Sequence, residues 1–290
     1  MNWFCFVWTV LFSMVWQCPA APSTPSPTAP GSTAQDEVEC PSNCVLLIYS
    51  NRSTSEAQDP LVMTSTELNP DHYEAQRAAH AVRYYLNTLY GTPFRQLSFS
   101  KVHQARTEDL GEAGMKYLLE ISVKDSLNKS SEKLCSAEVV YPRGETQQPP
   151  KVQISCAASL QLNTSAEEED FYKRYSAADS AVSGKDIPDS YGHVDPEMVP
   201  FWKLAGVAST FIMLNESNEN TLYNLAQVAK ITQLESQNGQ LRLEYVVLLH
   251  DMISQEIIRW KMLVSWSPAE GVKVSDTQLL PKCHCKPPTP

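Results

Sequence analysis

Glycine is scarce in this chain, 10 residues of 290, and the scarcity narrows the chemistry available. There is no glycine-rich loop to cradle a phosphate, no GxSxG elbow for a serine nucleophile and no HExxH pair for zinc. Positive charge is also short: 23 Lys and Arg face 33 acidic residues, for a formal net charge of −10. The basic residues are dispersed, nothing neutralises phosphates in series, and nucleic-acid binding is disfavoured. His72 and His80 lie two helical turns apart without a third ligand nearby, so no metal and no cofactor is expected. Long apolar runs are missing too, except one. Trp3 to Trp16 carries no charge and is followed by Cys18-Pro19-Ala20, with small residues at −3 and −1. This reads as a signal peptide cleaved after Ala20, with an uncleaved membrane anchor as the alternative. A spanning helix needs about 20 apolar residues, and no other stretch approaches that length.

What is present is a pattern that runs twice, 126 residues apart. Asn69-Pro70 opens the first copy and Asp195-Pro196 the second, each a polar cap followed by a proline suited to a helix start. Lys101-Val102 then matches Gln227-Val228, the strand from Met115 matches that from Leu241, and Pro142 matches Pro268. Each copy reads as a helix and then four strands. Ala75, Ala78, Val82, Tyr85, Leu86 and Leu89 recur at helical steps on one face. Tyr117, Leu119, Ile121 and Val123 alternate with polar residues, as do Ile258, Trp260, Met262, Val264 and Trp266 in the second copy. Short polar turns between successive strands imply antiparallel sheets, each with one apolar face for its helix. The second helix, Met198 to Leu214, has Lys203 as its only charge and is apolar nearly all round. It is expected to be buried by its own sheet and by the neighbouring unit, with Pro200 disturbing its first turns.

Six of the eight cysteines survive cleavage, an even number. Cys135 and Cys156 flank a hairpin whose turn, Pro142 to Pro150, is rich in Pro, Gly and Gln. A register opposing them also opposes Ala137 to Ile154 and Val139 to Val152 on one face, which predicts a cross-strand disulfide. Cys40, Cys44, Cys283 and Cys285 form two clusters near opposite ends; a staple between arm and tail is the simplest pairing, zinc ligation the less favoured one. Sequons stand at Asn51, Asn128, Asn163 and Asn215, candidate glycosylation sites in a secreted chain. Between Pro19 and Gln35 the composition is that of an extended linker.

These residues carry a resemblance. YLNTLYGTPFR (Tyr85–Arg95), CSAEVVYP (Cys135–Pro142), EEEDFYKR (Glu167–Arg174), IPDSYGHVDPEM (Ile187–Met198) and LLHDMISQEIIRW (Leu248–Trp260) together resemble the latexin family across roughly Pro70 to Pro281. The resemblance implies an α+β fold of two tandem cystatin-like units, each a helix gripped by a curved four-stranded antiparallel sheet. A connecting helix would lie over Ala166 to Ala178. Combined with the signal segment, arm and cysteine clusters read from the residues, the expected organisation is signal peptide 1–20, a Pro/Ser/Thr-rich arm 21–69, first unit 70–160, connecting segment 161–194, second unit 195–280 and a Cys/Pro tail 281–290. The pre-sequence and disulfides are most similar in type to the retinoic acid receptor responder (tazarotene-induced) and avian eggshell relatives.

The family implies no enzyme but an inhibitor of zinc metallocarboxypeptidases of the A/B class, which covers the funnel leading to the active site. The contact carries over to Gln255 and Glu256, with His250 beside them. Inhibition of papain-type enzymes would need a QxVxG hairpin; Gln153 begins QISCA and Gln227 begins QVAKI, and neither has the glycine. The other reading is a non-inhibitory extracellular structural or signalling adaptor on the same fold. Secretion is expected in either case.

Overall fold

A computed structural model describes residues 65–127, 132–144, 146–156, 165–176 and 181–282, all within one compact unit. The signal segment, Cys40, Cys44, Cys283, Cys285, Asn51, Asn128 and Asn163 lie outside the described residues.

The first half places β1 (Ser65–Leu68) before α1 (Tyr73–Tyr90), followed by β2 (Leu97–Asp109), β3 (Met115–Asp125), β4 (Lys133–Tyr141) and β5 (Lys151–Cys156). After α2 (Ala166–Ser176) the plan repeats: β6 (Ser183–Ile187), α3 (Val199–Asn215), β7 (Tyr223–Gln237), β8 (Gln240–Asp251), β9 (Glu256–Ser267) and β10 (Gly271–Leu280). Each half is a five-stranded antiparallel meander in sequence order. The expected four strands become five because a short strand ahead of each helix pairs with the first long one. The 126-residue offset survives in three dimensions: α1 and α3, and β2 and β7, start that far apart, and β3 and β8, and β4 and β9, end that far apart.

The offset extends to the irregularities. The β2–β3 register slips between Phe99 and Lys101 and between Val102 and Gln104; β7–β8 slips between Leu225 and Gln227 and between Val228 and Lys230. An extra residue in one strand bends it and raises its twist, so paired bulges curl each sheet around its helix. Asn69 and Asp195 are not N-caps. Each accepts the N–H two residues on, Asp71 at 2.9 Å and Glu197 at 2.9 Å, making an Asx turn that ends before the helix begins. Pro200 does no harm, because it falls in the first turn of α3, where the missing N–H has no intrahelical partner to lose.

Two cores result. Ala75, Ala78, Val82 and Leu86 of α1 pack on Tyr117, Leu119, Ile121, Val123 and Val139. Phe201, Leu204, Ala208 and Ile212 of α3 pack on Leu243, Tyr245, Val247, Met262, Val264 and Trp266. Burying each such large side chain contributes about 1.5–3 kcal/mol. The expected face of α1 needs correction. Leu89 is 46% exposed and Tyr85 half-buried, while Tyr84 is buried on a second face that meets the other half. There the Tyr84 hydroxyl donates to the Tyr223 carbonyl, and Gln96 Nε2 donates to the Lys203 carbonyl at 2.8 Å. Gly91 ends α1 against α3 so closely that a Cβ would stand 2.6 Å from Val207 Cγ1. The double burial expected of α3 is thus met by its own sheet and by α1.

The connecting helix α2 opens with a reciprocal cap: Glu168 N–H donates to Ser165 Oγ at 3.2 Å, and Ser165 N–H to Glu168 Oε2 at 3.2 Å. Its Phe171 stacks edge-on against Phe94, Phe201 and, tilted, Trp266. α2 therefore bridges both halves by aromatic packing, whereas the sequence reading draws only on its acidic first turn. Cys135 and Cys156 are bonded, and Ala137 faces Ile154 and Val139 faces Val152, the register read from the sequence.

Candidate functional site

The β8–β9 hairpin ends in a turn organised by one carboxylate. Asp251 Oδ1 accepts the N–H of Leu222 at 3.0 Å and of Ile253 at 3.1 Å; Oδ2 accepts the Ser254 hydroxyl at 2.7 Å and the Ser254 N–H at 3.4 Å. Burial opposes ionisation here, but the hydrogen bonds from Leu222, Ser254 and Ile253 outweigh it and hold the carboxyl below the ordinary aspartate range. The turn is also tied to the α3–β7 loop, since Met252 N–H donates to the Leu222 carbonyl at 2.8 Å.

The first half uses the same device. Asp125 Oδ1 accepts the N–H of Gln96 at 3.2 Å and of Leu127 at 3.0 Å, and Ser126 N–H donates to the Gln96 carbonyl at 2.7 Å. Each partner stands 126 residues before its counterpart. Neither aspartate was singled out from sequence, although for Asp251 the serine three residues on, Ser254, makes a recognisable Asx signature.

Around Asp251 the structure places the residues expected at the contact. Gln255 is exposed at φ 61°, a left-handed position, and its Nε2 donates to the Met252 carbonyl at 2.6 Å. Glu256 is exposed and pairs with Lys282 Nζ at 2.9 Å. His250 is half-buried one residue before Asp251, between Asn224 on β7 and Ile257 on β9. Gln255 and Glu256 thus share the tip, and His250 lies back along the strand. Sequence reading missed the apolar residues beside them: Met252 is 43%, Ile253 49% and Ile257 47% exposed. The tip carries exposed apolar side chains on a backbone held by Asp251 and tied to Leu222.

Elsewhere the polar groups serve the fold. His80 packs edge-on to Phe99 at 5.1 Å, and burial with nearby Arg83 lowers its pKa to about 3. Among the described residues no three His, Cys, Asp or Glu side chains gather as metal ligands, and no helix is long and apolar enough to cross a membrane. Asn215 is exposed at the end of α3, with its Nδ2 donating to Glu216 at 3.0 Å.

Two helices, each wrapped by a bulged antiparallel meander and docked side by side, define a tandem cystatin-like protein. The latexin family model matches residues 68–284. Mouse latexin is 36% identical over 216 residues, covering 74% of this chain and 97% of that protein. Chicken ovocalyxin-32 is 30% identical over 209 residues, covering 71% and 74%. Human retinoic acid receptor responder protein 1 is 27% identical over 221 residues, covering 73% and 71%. Among solved structures, mouse fetuin-B aligns over 75% of this chain and 71% of its own at 12% identity, with a TM-score of 0.23. The chain belongs to the latexin family.

Proposed function

We propose that this protein is a secreted inhibitor of zinc metallocarboxypeptidases of the A/B class, acting by occlusion of the active-site funnel. The observation that supports this is the Asp251-organised tip, a hairpin end with exposed apolar side chains already ordered in the free protein. Occlusion requires no reaction by the inhibitor. A contact of about 800 Å² per partner excludes substrate, and a surface that is rigid beforehand loses little entropy on binding. Glu256, held by Lys282, and Gln255, held by its bond to the Met252 carbonyl, present polar atoms around the apolar centre. Secretion and glycosylation at the sequons belong to the same proposal.

Titration of the purified protein against carboxypeptidases A and B tests it. Inhibition is expected, and the double variant Gln255→Ala/Glu256→Ala should weaken it by about thirtyfold, near 2 kcal/mol, if the tip is central. The folded state should scarcely change, because both side chains are exposed. Undiminished inhibition by the double variant moves the contact away from this turn. Wild-type protein that inhibits neither enzyme leaves the extracellular adaptor as the standing function.

A further inference from the structure

The β6–α3 loop, which the inhibitory reading leaves unused, is closed on itself. Asp189 accepts the N–H of Tyr191 at 2.9 Å and of His193 at 2.8 Å through Oδ1, while its own N–H donates to the His193 carbonyl at 2.9 Å. Gly192, at φ 83°, makes the left-handed bend. Five consecutive residues, Asp189 to His193, are exposed. Tyr191 forms the tip and is 85% exposed, the most of any large apolar side chain among the described residues. Its ring lies stacked near His193 at 6.4 Å between centroids, and among the described residues no hydrogen bond engages its phenol.

Such a side chain contributes nothing to the core, and its oxygen stands clear of the surface. Its flanking sequence is predominantly acidic. Asp186, Asp189, Asp195 and Glu197 lie within six positions of it, with Lys185 the only Lys or Arg. Tyr73, at 56% exposure, is a poorer target: it sits on a helix with the Arg77 guanidinium 4.6 Å over its ring. A predominantly acidic flanking sequence beside a projecting phenol is complementary to a transferase with a basic cleft, because opposite potentials steer the encounter and fix its register.

We propose that Tyr191 is a site of tyrosine O-sulfation. The phenol oxygen attacks the sulfur of an adenosine phosphosulfate donor, the sulfur–oxygen bond to the donor phosphate breaks, and adenosine bisphosphate leaves. The phenolic proton passes to a base of the transferase, and nothing is oxidised or reduced. The product places a permanent negative charge and further acceptor oxygens on a rigid loop, a group that arginine side chains bind in bidentate fashion. Access to the transferase in cells rests on the secretion proposed above, so the test has a cell-free arm that does not depend on it.

Folded full-length protein is incubated with a tyrosylprotein sulfotransferase and radiolabelled phosphosulfate donor, and secreted protein is mapped by mass spectrometry. Label is expected in the peptide containing Tyr191, lost in Tyr191→Phe, and reduced several-fold in Asp186→Asn/Glu197→Gln. The same peptide from secreted protein should carry a phosphatase-resistant SO3 group. If Tyr191→Phe takes up as much label as wild type, or the group on Tyr191 is a phosphate removed by phosphatase, the assignment is wrong. An unmodified Tyr191 in secreted protein also overturns it. Should the chain not be secreted, the cell-free arm decides alone: secretion fails, and the site stands or falls on the label.

Discussion

Replacing Asp251 by alanine removes the acceptor for four donors at once: the backbone N–H groups of Leu222, Ile253 and Ser254 and the Ser254 hydroxyl. Hydrogen bonds to a charged group contribute about 1.5–3 kcal/mol each, and they are not additive when one carboxylate serves them all. Water can reach the exposed side of the turn and re-satisfy some of these donors. The expected loss is therefore about 3 kcal/mol, read by urea unfolding at pH 7. The pH dependence is a second signature. Because the folded carboxyl is held below its unfolded value, its stabilisation is fully present above the unfolded pKa, about 3.9, and is lost as pH falls through the folded pKa. The gap between wild type and Asp251→Ala should narrow as pH drops below that range. Asp251→Asn keeps an acceptor for Leu222 and Ile253 and should lose less. Under the proposed function, Asp251→Ala should also weaken peptidase inhibition under conditions where the variant remains folded, by releasing the tip. A change under about 0.5 kcal/mol, or a gap that is the same at pH 7 and pH 3, would refute the reasoning.

His80 supplies a second pH test of opposite residue type. Its folded pKa is depressed to about 3 from an unfolded 6.5, so the unfolded chain binds more protons between those values and stability falls as pH drops through that window. From pH 8 to pH 5 this residue alone should cost about 2 kcal/mol, and His80→Leu should flatten that part of the stability curve. Removing the Cys135–Cys156 bond by a double alanine substitution should cost about 3 kcal/mol for a loop of this size, measured by denaturant unfolding. Trp266→Ala should cost about 3–5 kcal/mol, since the ring is fully buried against Phe171. Trp260, read from its alternation as an equal, is only half-buried at the core's rim, so Trp260→Ala should cost about half as much.

How far these features could be read from residues depends on the physical signal each one leaves. Long strands carry the period of two, and the apolar faces of β3 and β9 follow it, except near the β9 start, where the residues are exposed or half-buried. The edge strands Ser65–Leu68 and Ser183–Ile187 are too short and polar to show any period, so four strands were expected where five form. The docking face of α1 was hidden for a different reason. Gly91 meets Val207 of the neighbouring half through smallness, which a hydrophobic pattern does not register, and Tyr84 was passed over for Tyr85. α2 was legible as a helix but not as an aromatic bridge, because Phe171 finds its partners in segments far away in sequence.

The duplication itself separates scaffold from candidate function. Asp125 and Asp251 make the same two bonds to residues at the same offsets, so that carboxylate answers a need of the fold common to both copies: closing the second long strand against the loop after the helix. What the aspartate holds in place differs. At the equivalent positions the first copy sets Ser126 and Leu127, whereas the second sets Met252 and Ile253, both exposed. Folding gives no return for exposing two large apolar side chains on a rigid tip, since each would be better placed inside. The contrast between the copies, more than the turn alone, is the argument for assigning partner binding to the second hairpin. It also sets a direct comparison. Exchanging Met252-Ile253 for Ser-Leu should leave Asp251 and its bonds intact, change stability by about 0.5 kcal/mol or less, and weaken peptidase inhibition. If the exchange unfolds the protein, those side chains belong to the core of the hairpin and the assignment fails.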